Sequence, residues 1–116
     1  MAEIQPFQVR DVASKPWGRE ILIAHTEYYT GKILYMNAGR GGPLQYHHYK
    51  DETFFLFSGE ALVTYHTEAG ERRTRPMNPG ESIHVPPGAV HQVEALTDCV
   101  FFEASLPIFD DRVAVS

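Results

Sequence analysis

Two short segments concentrate the side chains able to hold a metal ion or move a proton. The first is Gln45-Tyr46-His47-His48-Tyr49-Lys50-Asp51-Glu52, and the second is Pro86-Pro87-Gly88-Ala89-Val90-His91. Residues i and i+2 of a strand share a face, so Gln45 and His47 point one way and His48 the other. A short turn can return Glu52 toward the same space at the start of the next strand. His91 starts a later strand after a Pro-Gly turn and can face the first three across a barrel. Two imidazole nitrogens, a carboxylate oxygen and the amide oxygen of Gln45 then make a donor set for a divalent transition metal, with room for water or substrate. Zinc, manganese, iron, nickel and cobalt all accept these donors, so the donor types leave the ion open.

These residues need a scaffold of strands. Nine glycines and eight prolines fall between short apolar runs, which leaves no room for a long amphipathic helix. The β-rich runs are residues 21–24, 32–36, 44–48, 53–57, 60–66, 82–85, 91–95 and 99–104. Runs at intervals of about 8 to 12 residues, with turn signals between them, predict an all-β sandwich or barrel. Thr53-Phe54-Phe55-Leu56-Phe57 is apolar along its length, so both of its faces call for burial. A second subunit in a homodimer is the favoured cover. Intrachain cover by Phe7 and Val9 is the alternative. Residues 106–116 have no clear pattern, and Asp110-Asp111 reads as part of a solvated tail rather than a lid.

The composition excludes several classes. The chain has 116 residues, 43% hydrophobic and 22% charged, which suits one ordinary domain spanning 1–116. Its net charge of −5 gives no pull toward nucleic acid. Arg72, Arg73 and Arg75 lie beside Glu68 and Glu71 and read as a solvated hairpin. The one cysteine, Cys99, rules out an intrachain disulfide framework. No apolar run reaches the length of a membrane span. The first twelve residues lack the features of a secretory leader, so the cytoplasm is the expected location.

The segment Gly39-x5-Gln45-x-His47-x4-Glu52-x6-Gly59 resembles the first motif of the cupin superfamily, G-x5-H-x-H-x(3,4)-E-x6-G. The segment Gly80-x5-Pro86-x-Gly88-x2-His91 resembles the second, G-x5-P-x-G-x2-H-x3-N. The resemblance covers residues 15–105 and implies a small antiparallel jelly-roll-like barrel, commonly dimeric, with one metal in its mouth. Gln45 stands where the first histidine is usual, and Ala95 where the final asparagine is usual. The Gln-x-His-x4-Glu variant is similar to the cupin domain of mannose-6-phosphate isomerases and to the isomerase part of fused mannose-1-phosphate guanylyltransferases. Those enzymes use Gln, His, Glu and His as ligands, so the resemblance assigns Gln45, His47, Glu52 and His91 to the metal. Lys15-Pro16-Trp17-Gly18 is similar to the Pro-Trp-Gly element that precedes their barrel.

The function implied is a metal-assisted sugar or sugar-phosphate isomerase working by enediol proton transfer. Two other readings remain open: a carbohydrate-binding module without turnover, and a metal-dependent dioxygenase. His84 and Glu103 are the candidates for the general base. Tyr35, Phe54 and Glu103 are candidate pocket-wall residues, and Lys32 and Arg40 candidates to meet a substrate phosphate. Trp17 reads as a barrel-end plug, and Cys99 as a small buried hydrophobe.

Overall fold

The computed structural model describes residues 1–116, apart from the side chain of residue 13. Its strands are β1 (Arg10–Lys15), β2 (Gly18–His25), β3 (Thr30–Met36), β4 (Gln45–His47), β5 (Glu52–Ser58) and β6 (Ala61–His66), then β7 (Arg72–Met77), β8 (Ser82–Val85), β9 (His91–Ala95), β10 (Cys99–Ser105) and β11 (Arg112–Ala114). Among the described residues there is no helix. All pairings are antiparallel and build two sheets, β1-β2-β3-β10-β5-β8 and β11-β4-β9-β6-β7. The expected all-β, jelly-roll-like barrel is therefore the observed fold.

The eight expected runs fall on β2–β6 and β8–β10. Three strands carry no such signal. β7 is exposed at five of its six positions, so it has no apolar alternation to read. Its register with β6, from Ala61↔Met77 to His66↔Arg72, holds it instead. The basic cluster lies on this strand, next to a tight turn closed by Thr67 N–H donating to the Glu71 carbonyl at 2.8 Å. β1 is a polar edge strand, and β11 has only three residues.

Alternation sets the core. β3 buries Thr30, Lys32, Leu34 and Met36 and turns Ile33 and Tyr35 outward. β5 sends Leu56 inward, fully buried, near Phe101 of β10, and Phe54 meets Phe101 edge to face at 6.4 Å. Burying side chains of this size contributes about 1.5–3 kcal/mol each. Two motif glycines hold turns that other residues would strain. Gly59 has φ +94°, and a β-carbon added there would run into the Asp98 carbonyl. Gly88 has φ +84°, and its N–H donates to the His47 carbonyl at 2.8 Å, which ties the turn before β9 to β4.

The outward face of β5 is only partly covered by its own chain, with Thr53 and Phe55 half-buried and Phe57 exposed. Register places Ile33, Phe102 and Phe55 in one row across β3, β10 and β5. Phe55 stacks on Phe102 at 6.1 Å, and Phe57 meets Phe102 edge-on at 5.6 Å while remaining 61% exposed. Phe7 and Val9 are 37% and 57% exposed, and the aromatic contacts of this face are among Phe55, Phe57 and Phe102. Residues 1–9 form no strand and lie along the surface or beyond it. They help explain an accessible area of 7370 Å², against about 6,400 Å² for a compact chain of this mass.

Candidate metal centre

Three short connections bring the chemistry together. His47 ends β4, and after four intervening residues Glu52 begins β5. His91 begins β9, where β9 crosses β4 with Gln45 opposite it. Inside the barrel, Nε2 of His47 lies 3.4 Å and Nε2 of His91 3.3 Å from Oε1 of Glu52. The three side chains are buried, and one ligand atom from each falls within 4.8 Å of the others. Among the described residues this is the one cluster of its kind.

The second atom of each group is already committed elsewhere. Nδ1 of His91 donates to the Ala89 carbonyl at 2.9 Å, and Nδ1 of His47 to Oδ1 of Asp111 at 2.9 Å. Oε2 of Glu52 takes the Lys50 ammonium at 3.0 Å. Oε1 of Glu52, by contrast, is buried without a hydrogen-bond donor. An orphaned buried carboxylate oxygen is costly. A divalent cation between Oε1 and the two imidazole nitrogens would remove that cost, and the donor set suits one. The residues therefore fit a metal.

Charge balance in the cluster is tight. Burial opposes the charge on Glu52, yet His47, His91 and Lys50 together hold its carboxyl well below the usual carboxylate range. The Glu52 carboxylate, and after it Asp111, hold the His47 imidazole above its ordinary value against burial. Burial disfavours the Lys50 ammonium, but Glu103 and Glu52 more than restore it. Lys50 Nζ bridges Glu52 Oε2 and Glu103 Oε2, the latter at 3.1 Å, and Ser105 Oγ donates to Glu103 Oε2 at 2.9 Å.

A pocket of about 120 Å³ opens on this cluster. Gln45, His47, Glu52 and His91 all line it, with Lys50 and Glu103 beside them. Phe54, Trp17 and Lys32 contribute to its wall, as expected or allowed from sequence. Other expectations land elsewhere. His84 is on β8, its side chain 59% exposed and bonded to Asp51 Oδ1 at 2.9 Å. It does not line that pocket but a second, mostly apolar cavity of about 280 Å³ whose wall also includes His91 and Phe54. Tyr35 faces outward under the Arg19 guanidinium, because β3 strand parity turns it away from the barrel. Arg40 is exposed in the loop after β3 and does not line the pocket. His48 points away as parity predicts, packing on Tyr46 and Tyr49.

Two residues of the cluster were not legible beforehand. Lys50 carries no mark that separates a buried lysine from a surface one. Asp111 was read as part of a solvated tail, and that reading is corrected. Its side chain is only 9% exposed, and the strand that follows it pairs with β4 through Arg112↔His47 and Ala114↔Gln45. A contact across 64 residues of chain leaves no local signal.

The cupin domain family matches residues 32–105. This chain belongs to the cupin family. Among curated proteins, the cupin is 34% identical over 80 residues to mannose-1-phosphate guanylyltransferase 2 of Escherichia coli O157:H7, an alignment covering 69% of this chain and 16% of that one. The chain thus spans about a sixth of the length of the curated relatives it matches. Among solved structures, the capsular polysaccharide assembling protein CapF of Staphylococcus aureus superposes with a TM-score of 0.81 at 18% identity, over 95% of this cupin and 32% of CapF. KdgF of Halomonas sp. superposes with a TM-score of 0.74 at 22% identity, over 87% of this cupin and 88% of KdgF. Among the described residues no helix is long and apolar enough to cross a membrane.

Proposed function

We propose that this cupin holds a divalent metal, zinc or manganese, with His47, Glu52, His91 and the amide oxygen of Gln45, and acts on a sugar or sugar phosphate as an isomerase. The orphaned Oε1 of Glu52 between two imidazole nitrogens carries the reading. The similarity to mannose-1-phosphate guanylyltransferase 2 supports a sugar-related ligand. A cation held there supplies positive charge beside a substrate carbonyl or hydroxyl oxygen.

The chain's own groups do the rest. Glu103 lines the pocket, and Lys50 and Ser105 both bind its Oε2. Oε1 is left to accept the proton from C2 of an open-chain sugar and return it at C1. The hydroxyl proton on O2 passes to O1, so aldose and ketose interconvert with no redox partner. His84 is bonded to Asp51 and does not line the pocket that Glu103 lines, so this step is assigned to Glu103. Lys15, Lys32 and Arg112 line the pocket and give a phosphate on the substrate cationic neighbours in a chain of net charge −5. We assign the cupin to the cytoplasm, as a homodimer joined through the Phe55–Phe102 face.

The test is proton exchange. Metal-analysed, untagged protein, reloaded with zinc or with manganese, is incubated with hexose phosphates in deuterium oxide and followed by NMR. Deuterium at C1 or C2 supports the isomerase. A melting shift with sugar but no exchange points instead to a binding module. Iron in the purified protein with oxygen uptake points to a dioxygenase.

A further inference from the structure

We infer that Asp111 is a positioning residue for the metal centre, and that docking of the C-terminal strand and metal binding reinforce each other through it. The inference rests on the metal reading above.

Asp111 makes four bonds to one stretch of chain. Oδ1 accepts from His47 Nδ1 at 2.9 Å. Oδ2 accepts from the backbone N–H groups of Tyr49 at 2.8 Å and Lys50 at 2.9 Å. Its own carbonyl accepts from His48 N–H at 3.2 Å. These donors include one candidate ligand, His47, and the turn that leads to another, Glu52. The carboxylate therefore fixes both the ring of His47 and the path of residues 48–50.

The imidazole has two neutral tautomers, and only one presents a lone pair at Nε2. An acceptor at Nδ1 selects that tautomer and strengthens the opposite nitrogen as a donor. Both histidines use this device, but with different anchors. His91 leans on the Ala89 carbonyl two residues away, inside its own turn. His47 leans on a strand that arrives 64 residues later in the chain. Orientation of His91 is thus local, and orientation of His47 depends on β11 staying docked. The dependence is reciprocal, because whatever fixes His47 for the metal also favours its bond to Asp111. β11 lies beyond residues 32–105, the part that matches the family.

The experiment compares the full chain with Asp111→Ala, Asp111→Asn and the neighbouring Asp110→Ala, each checked for native circular dichroism. Zinc affinity is read by competition with a chelating dye. The His47 tautomer is read by ¹⁵N NMR in metal-free protein, and amide exchange of residues 111–115 is read with and without zinc. Asp111→Ala is expected to weaken zinc binding about 10- to 100-fold and to lose the single His47 tautomer. Asp111→Asn, which keeps a neutral acceptor, should lie between it and the wild type, and Asp110→Ala should match the wild type. Zinc should slow exchange of the tail in the wild type and in Asp110→Ala, but not in Asp111→Ala. Wild-type zinc affinity with one unchanged tautomer in folded Asp111→Ala would overturn the inference and leave the metal reading standing. Failure of the wild type itself to bind zinc would overturn the metal reading and the coupling with it.

Discussion

Nζ of Lys50 lies 3.0 Å from Oε2 of Glu52, and both side chains are buried in the barrel. The same ammonium reaches Glu103 at 3.1 Å. Lys50 thus neutralises one oxygen of Glu52 and leaves the other turned to the two imidazoles. It also links the metal-fitting cluster to the candidate base.

Removing that ammonium leaves two buried carboxylates without the cation they share. Lys50→Met is expected to destabilise the metal-free protein by about 3–5 kcal/mol, read by urea denaturation. Zinc should restore part of the loss, because it takes over charge on Glu52. Equal losses with and without zinc would separate Lys50 from the metal-fitting cluster.

His91→Ala is expected to reduce metal content from about one ion per chain to near zero while the barrel stays folded. The measurement is elemental analysis by inductively coupled plasma mass spectrometry on untagged protein. His48→Ala should change the content little, since its ring packs on Tyr46 and Tyr49 outside the pocket. Loss at His48 with retention at His91 would place the donors on the opposite strand face.

Stability of the metal-free protein should peak at mildly acidic pH. The raised value of His47 contributes stability that is full below about 6.5, its ordinary value, and is lost as pH rises through the folded value. The lowered value of Glu52 contributes stability that is full above about 4.5, its ordinary value, and is lost as pH falls through the folded value. Asp111, also lowered, works in the same direction as Glu52. Thermal melts should therefore decline on both sides of a window between roughly pH 4.5 and 6.5. With zinc the alkaline decline should vanish, because the metal replaces the proton at Nε2.

Phe57→Glu and Phe102→Glu are expected to shift the proposed dimer to monomer, read by sedimentation-velocity analytical ultracentrifugation at micromolar concentration. Phe57 is 61% exposed and Phe102 lies between it and Phe55, so a charge there disrupts an apolar contact. A wild type that sediments as a monomer would remove the homodimer from the reading.

Much of this molecule was legible along the chain because its signals are local. Turn glycines and prolines mark strand ends, and parity on a strand puts Gln45 with His47 and turns His48 away. Motif spacing then selects Glu52 and His91, and all four line one pocket. Polar β7 escaped notice because its stability comes from pairing with β6, not from a buried face. Tyr35 was placed on the wrong side for want of a strand phase, which the buried Leu34 and Met36 supply.

What tertiary structure alone decided is the company each group keeps. Nothing in the chain marks Lys50 as the bridge between Glu52 and Glu103, or Asp111 as the partner of His47. Hydrogen bonds and ion pairs depend on angstrom distances between segments remote in sequence, whereas strand parity and turn chemistry depend on neighbours. The sequence by itself therefore determined the barrel and the residues that fit a metal. Only the folded chain determined which oxygen of Glu52 is left free for it.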